Sequence, residues 1–102
     1  MNKLTAKELE GFIQEALNKM EELRKKRVEG EEYCDEVEVD LPDCTKYYLD
    51  VLLTELGWRD GDMDINGWEG DYWEKWDKDG KNLQTCGSMY YGTCNLYLVE
   101  ES

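Results

Sequence analysis

The sequence predicts an α+β fold: a long N-terminal amphipathic helix, one strand, a second helix, and then an antiparallel β-meander of three to five strands, with the helices packed on one face of the sheet. Three observations carry this reading. Apolar residues recur at helical spacing from Leu9 to Leu23. Residues 33–41 alternate with a period of two. From Asp62 onward, strand-favouring Trp and Tyr residues are punctuated by the turn pairs Asn66-Gly67 and Asp79-Gly80. No linker rich in Pro, Ser or Gly interrupts the chain, so residues 1–102 are expected to form a single acidic domain.

The first helix has complete start signals. Thr5 and Glu8 make a capping box, and Leu4 and Leu9 occupy the two positions of a hydrophobic staple. Leu9, Phe12, Ile13, Ala16, Leu17, Met20 and Leu23 then define one apolar stripe. The basic run Arg24-Lys25-Lys26-Arg27 suits the negative end of the helix dipole and is expected to lie in solvent. In the strand that follows, Tyr33, Val37, Val39 and Leu41 point one way, and Cys34, Glu36, Glu38 and Asp40 the other. Pro42 ends it. Asp43 is the expected N-cap of a second helix from about Cys44 to Leu56, with Tyr48, Val51, Leu52 and Leu56 facing inward. Gly57 and Trp58 fit the end of that helix as a Schellman motif. Asn66-Gly67 marks a tight hairpin. Residues 71–77, 82–91 and 93–99 complete the sheet, with Gly92 as a turn or bulge.

The chain carries 25 acidic and 12 basic side chains, a formal charge of −13. Such a charge repels nucleic acid and anionic lipid, which argues against direct binding to either, and favours rapid, salt-sensitive capture of a basic surface. The distribution is uneven. Residues 1–27 hold seven basic and five acidic side chains, whereas residues 28–102 hold five basic and twenty acidic ones. Glu36, Glu38 and Asp40 are expected to form a row of carboxylates spaced about 6.6 Å apart along one strand face. Asp60, Asp62 and Asp64 are expected to form a second row entering the hairpin. A solvated strand face and protection of a sheet edge are the ordinary explanations of such rows. The four Trp and seven Tyr exceed what the core needs; Trp68 and one of Trp73 or Trp76 are candidates for exposure as interface anchors.

Neither a signal peptide nor an apolar run of membrane-spanning length is visible, so a cytoplasmic location is expected. The four widely spaced cysteines then read as free thiols rather than disulfides or zinc ligands. Asp62-Met63-Asp64-Ile65-Asn66-Gly67 resembles the opening of an EF-hand calcium loop, but Trp73 stands where the bidentate Glu belongs. No metal or other cofactor is therefore expected. The chain has no histidine, no phosphate-cradling glycine loop and no recognisable nucleophile–base set, so an enzyme is not expected either.

In size, acidity and aromatic content the chain resembles the small phage-encoded inhibitors of bacterial defence nucleases, the anti-CRISPR and other DNA-mimic proteins. It is similar in the same way to the acidic immunity proteins that neutralise nuclease toxins. The resemblance rests on composition and carries no residue over. It implies a non-catalytic inhibitor, monomeric or weakly dimeric, acting in the host cytoplasm on the basic surface of a nucleic-acid-binding enzyme. Glu36, Glu38, Asp40, Asp60, Asp62, Asp64, Trp68, Glu69 and Asp71 are the candidate contact residues. The alternatives are a nuclease-toxin immunity protein and a small calcium-binding or protein-interaction module.

Overall fold

The first helix, α1 (Ala6–Lys25), begins as its sequence dictates. The Thr5 hydroxyl accepts from the Glu8 amide, the Glu8 carboxylate accepts from the Thr5 amide, and the Leu4–Leu9 staple is buried. The structure is a computed structural model describing residues 4–66, 70–89 and 93–102. Its further elements are β1 (Cys34–Asp40), α2 (Lys46–Glu55), β2 (Arg59–Asn66), β3 (Asp71–Lys78), β4 (Lys81–Ser88) and β5 (Thr93–Glu101). The strands form one antiparallel sheet in the order β1-β5-β4-β3-β2. Strands β2 to β5 are a meander, and β1 adds to β5 on the far side.

Both helices pack on the same face of this sheet. Leu9, Ile13, Ala16 and Met20 of α1 and Leu49, Leu52 and Leu53 of α2 meet Val37, Val39, Tyr72, Trp76, Leu83, Leu96 and Leu98. The basic run at the end of α1 does not simply lie in solvent. Arg24 pairs with Glu100 and Glu21, while Arg27 pairs with Asp35 at 2.6 Å and Glu100 at 3.2 Å and stacks on Tyr33. These bonds fasten the helix to β1 and β5, and Arg24 holds the Glu100 carboxyl below its usual range.

The second helix starts later than its sequence suggests. Its N-cap is Thr45, not Asp43; the hydroxyl of Thr45 accepts from the Tyr48 amide at 3.2 Å. Val51, expected to face inward, is exposed, whereas Lys46 and Leu49 are buried. The helix ends in the expected Schellman motif: the Gly57 amide donates to Thr54, the Trp58 amide to Leu53, and Gly57 has φ +90°. Lys78 of β3 also donates to the part-buried Leu56 carbonyl at the helix end, at 2.6 Å. Asp79-Gly80 forms a two-residue turn with positive φ at both positions, closed by the pair Lys78↔Lys81. Asn66, expected in a turn, is a strand residue paired with Asp71. The four cysteines are free thiols. Among the described residues no helix is long and apolar enough to cross a membrane.

Candidate functional site

Residues opposite each other in an antiparallel ladder share a face, so the register sorts the side chains. Glu36, Glu38 and Asp40 pair with Val99, Tyr97 and Asn95, and all three acids are exposed. Tyr97 pairs with Gln84, and Trp73 pairs with Cys86 on one side and Asp64 on the other. This is the face away from the helices, and no described residue covers it. Among the described residues its carboxylates include Glu36, Glu38 and Asp40 on β1, Glu101 on β5, Asp71 and Asp77 on β3, and Asp64 on β2, and its cations Arg59 and Lys75. Asp77 is paired with Arg59 at 3.1 Å.

An aromatic pair sits between the acidic margins. The rings of Trp73 and Tyr97 meet edge to face with centroids 5.1 Å apart. The Trp73 indole N–H donates to Gln84, and Asn95 donates to Glu38 at 2.8 Å. Glu36, accepting from the Tyr97 hydroxyl, pushes that phenol up to about 12. With neighbouring strands about 4.8 Å apart, β1 and β2 lie about 19 Å from each other across this face. The face therefore has an acidic row on β1, a central band of Tyr97, Gln84 and Trp73, and a second acidic margin at Asp64 and Asp71.

The second margin differs from the expected straight row. Asp60 pairs with Trp76 but Met63 pairs with Glu74, so Gly61 and Asp62 bulge out opposite Lys75. A Cβ on Gly61 would stand 3.2 Å from the Lys75 carbonyl oxygen, which explains glycine there. The extra residue shifts the alternation, leaving Asp64 on the open face and Asp60 on the helix face. Asp60, Asp62 and Asp64 are thus not one row. Trp68 and Glu69 lie outside the described residues. Of the two other candidate tryptophans, Trp73 is exposed, whereas Trp76 is buried and donates its indole N–H to Thr85 at 3.1 Å. The EF-hand resemblance does not extend to its frame: β2 runs through the first five loop positions, Asp62–Asn66, and β3 continues to Lys78 where the exiting helix belongs. Among the described residues no three Cys, Asp or Glu side chains converge as a metal site would require.

Under α2 lies a polar cluster that the sequence reading missed. Lys46 is 5 % exposed and Glu74 1 %. The Lys46 ammonium pairs with Asp50 and lies 3.4 Å from Glu74 Oε1, an ion-pair distance without hydrogen-bond geometry. Glu74 Oε1 and Asp50 Oδ1 are buried with no hydrogen-bond partner. Burial, with the carboxyls of Asp60 and Asp50, pushes Glu74 up to about 8; Lys46 opposes this. Burial alone would lower the Lys46 pKa, but Asp50 and Glu74 hold it raised. Beside this cluster the Tyr72 hydroxyl donates to Cys94 Sγ at 3.1 Å, reaching past Gly87, which lies between them on β4. A signal for Glu74 was available: it alternates with Tyr72 and Trp76, both of which face the helices.

Comparison of the chain with protein-family models, curated proteins and solved structures gave no match.

Proposed function

We propose that the protein is a non-catalytic binder that offers the open face of its sheet to the basic surface of a protein partner. The more specific reading is an inhibitor of the DNA-mimic type, occupying the nucleic-acid-binding surface of a nuclease or another defence enzyme. One observation carries this. Both helices pack on one side, and the uncovered side holds acidic margins on β1 and on β2–β3 with the Trp73–Tyr97 pair between them. Solubility needs no such sorting of charge. A lysine- and arginine-lined groove would find complementary potential at the margins and an aromatic anchor at the centre.

The test is capture of partners from a lysate in about 0.1 M and about 1 M salt, where screening lengths are about 10 and 3 Å. Wild type is compared with Glu36→Lys/Glu38→Lys/Asp40→Lys. The expected partner is a nucleic-acid-binding protein held only by wild type at low salt, and nucleic acid competes for it. A partner held equally at high salt and by the charge-reversed protein rules out electrostatic mimicry.

A further inference from the structure

The edge strand β2 differs from an ordinary solvated edge. Met63 and Ile65 pair with Glu74 and Tyr72, so they lie on the helix side of the sheet. Yet α2 does not reach over them, and they are 43 % and 47 % exposed. Tyr47 and Val51, one helical turn apart on α2, are exposed as well. Tyr48, further round the helix, donates its hydroxyl to the Leu4 carbonyl at the start of α1, so Tyr47 and Val51 lie on the part of α2 away from that contact. The bulge at Gly61 and Asp62 interrupts the strand, but Met63–Asn66 pairs regularly with β3, and among the described residues no strand lies on the other side of β2.

We infer that β2 receives an extended segment of a basic protein partner as a sixth strand. Side chains of that segment alternate: apolar ones lie over Met63, Ile65 and Val51, and lysine or arginine lies on the open-face side near Asp64. Charge complementarity chooses this occupant over a second copy of the chain. Two copies paired antiparallel through Met63–Asn66 would set Asp64 against its own counterpart in a register centred on Asp64, or Asp62 against Asp64 in one centred on Met63, and like charges across a strand pair destabilise it. A basic strand reverses that sign. The inference rests on the basic-partner reading above and deepens it by naming the form of the partner's contact.

The probe is a short capped peptide alternating lysine and valine, titrated into isotope-labelled protein and followed by amide shifts and amide exchange. Two controls accompany it: the same composition with lysines and valines in separate blocks, and the alternating peptide with two valines replaced by proline. The expected result is shifts and exchange protection at Met63, Asp64 and Ile65. Binding of the alternating peptide should be at least about tenfold tighter than that of either control. Met63→Gln/Ile65→Gln should remove that advantage while leaving the spectrum of the core unchanged. Equal binding of all three peptides, with shifts at Glu38, Trp73 and Tyr97 alone, overturns strand addition but leaves the open-face reading standing. Absence of binding by any peptide at low salt counts against both. Concentration-dependent dimerisation of the wild type, lost in the double variant, assigns the edge to a second copy and overturns the inference.

Discussion

The two edge strands have similar composition and opposite settings. In β1, Cys34-Asp-Glu-Val-Glu-Val-Asp40, the apolar Val37 and Val39 are each only 6 % exposed. In β2, Arg59-Asp-Gly-Asp-Met-Asp-Ile-Asn66, the corresponding Met63 and Ile65 remain in solvent. The difference lies in the helices above. The 20-residue α1 is about 30 Å long, enough to cover β1 and β5 along their length, and Arg24 and Arg27 pin it there. The 10-residue α2 is about 15 Å long and meets the sheet at β3 through the Lys46–Asp50–Glu74 cluster, leaving β2 uncovered. Alternation in a strand decides which side chains share a face. Whether that face is sealed depends on the reach of the element packed against it.

The largest effects should come from what holds the helix layer down. Lys46→Met removes the cation of a buried cluster and strands the carboxyls around it, so it should cost about 3–5 kcal/mol in urea unfolding at pH 7. A loss below about 1 kcal/mol would mean that α2 is held by its apolar face alone. On the sealed side, Leu96→Ala removes a fully buried side chain and should cost about 2–5 kcal/mol. Met63→Ala or Ile65→Ala should change stability by no more than about 0.5 kcal/mol. Equal costs for Leu96→Ala and Ile65→Ala would erase the distinction between the two edges.

The pH dependence sharpens the comparison further. Glu74 has an ordinary value of 4.5, raised to about 8 in the folded protein. Below pH 4.5 both states hold the proton. Between 4.5 and about 8 the folded protein keeps a proton that the unfolded chain has lost, so this group's contribution to stability declines as pH rises through that window. Glu100 acts oppositely: its depressed pKa stabilises above the ordinary carboxylate range, and that contribution is lost as pH falls through its folded value. Thermal melts of Glu74→Gln should lie above wild type at pH 8 and not at pH 4.5, with a flatter profile between. A parallel shift at every pH would show that Glu74 is already ionised in the fold.

The helical half of the fold was legible because its signals are local. The Thr5–Glu8 box, the Leu4–Leu9 staple and the Gly57-Trp58 terminus each depend on neighbours within a few residues. The β1 row at Glu36, Glu38 and Asp40 was legible for the same reason, since strict alternation needs no partner to be read. The second row was not, because one added residue at Gly61-Asp62 exchanges the faces, and a bulge is set by the pairing with β3. The true cap of α2 was missed because Asp43 and Thr45 are both good capping residues, and the packing of Leu49 and Lys46 selects the later one. The pairings of Arg24 with Glu100 and of Lys46 with Glu74 join residues far apart in sequence, so they emerge only once the sheet is assembled.

In the proposed binding mode the acidity that matters lies on the open face and not in the total charge. The most direct measurement compares two variants of identical net charge against the captured partner. Glu36→Lys/Glu38→Lys reverses two exposed carboxylates of the open face, and Glu10→Lys/Glu22→Lys reverses two on the solvent side of α1. Association rates are read at about 0.1 M salt, where charges more than about 10 Å from the contact are screened. The expected result is association slowed about tenfold or more by the first pair and less than about twofold by the second. Equal slowing by both pairs would contradict a localised site and leave net charge alone as the cause.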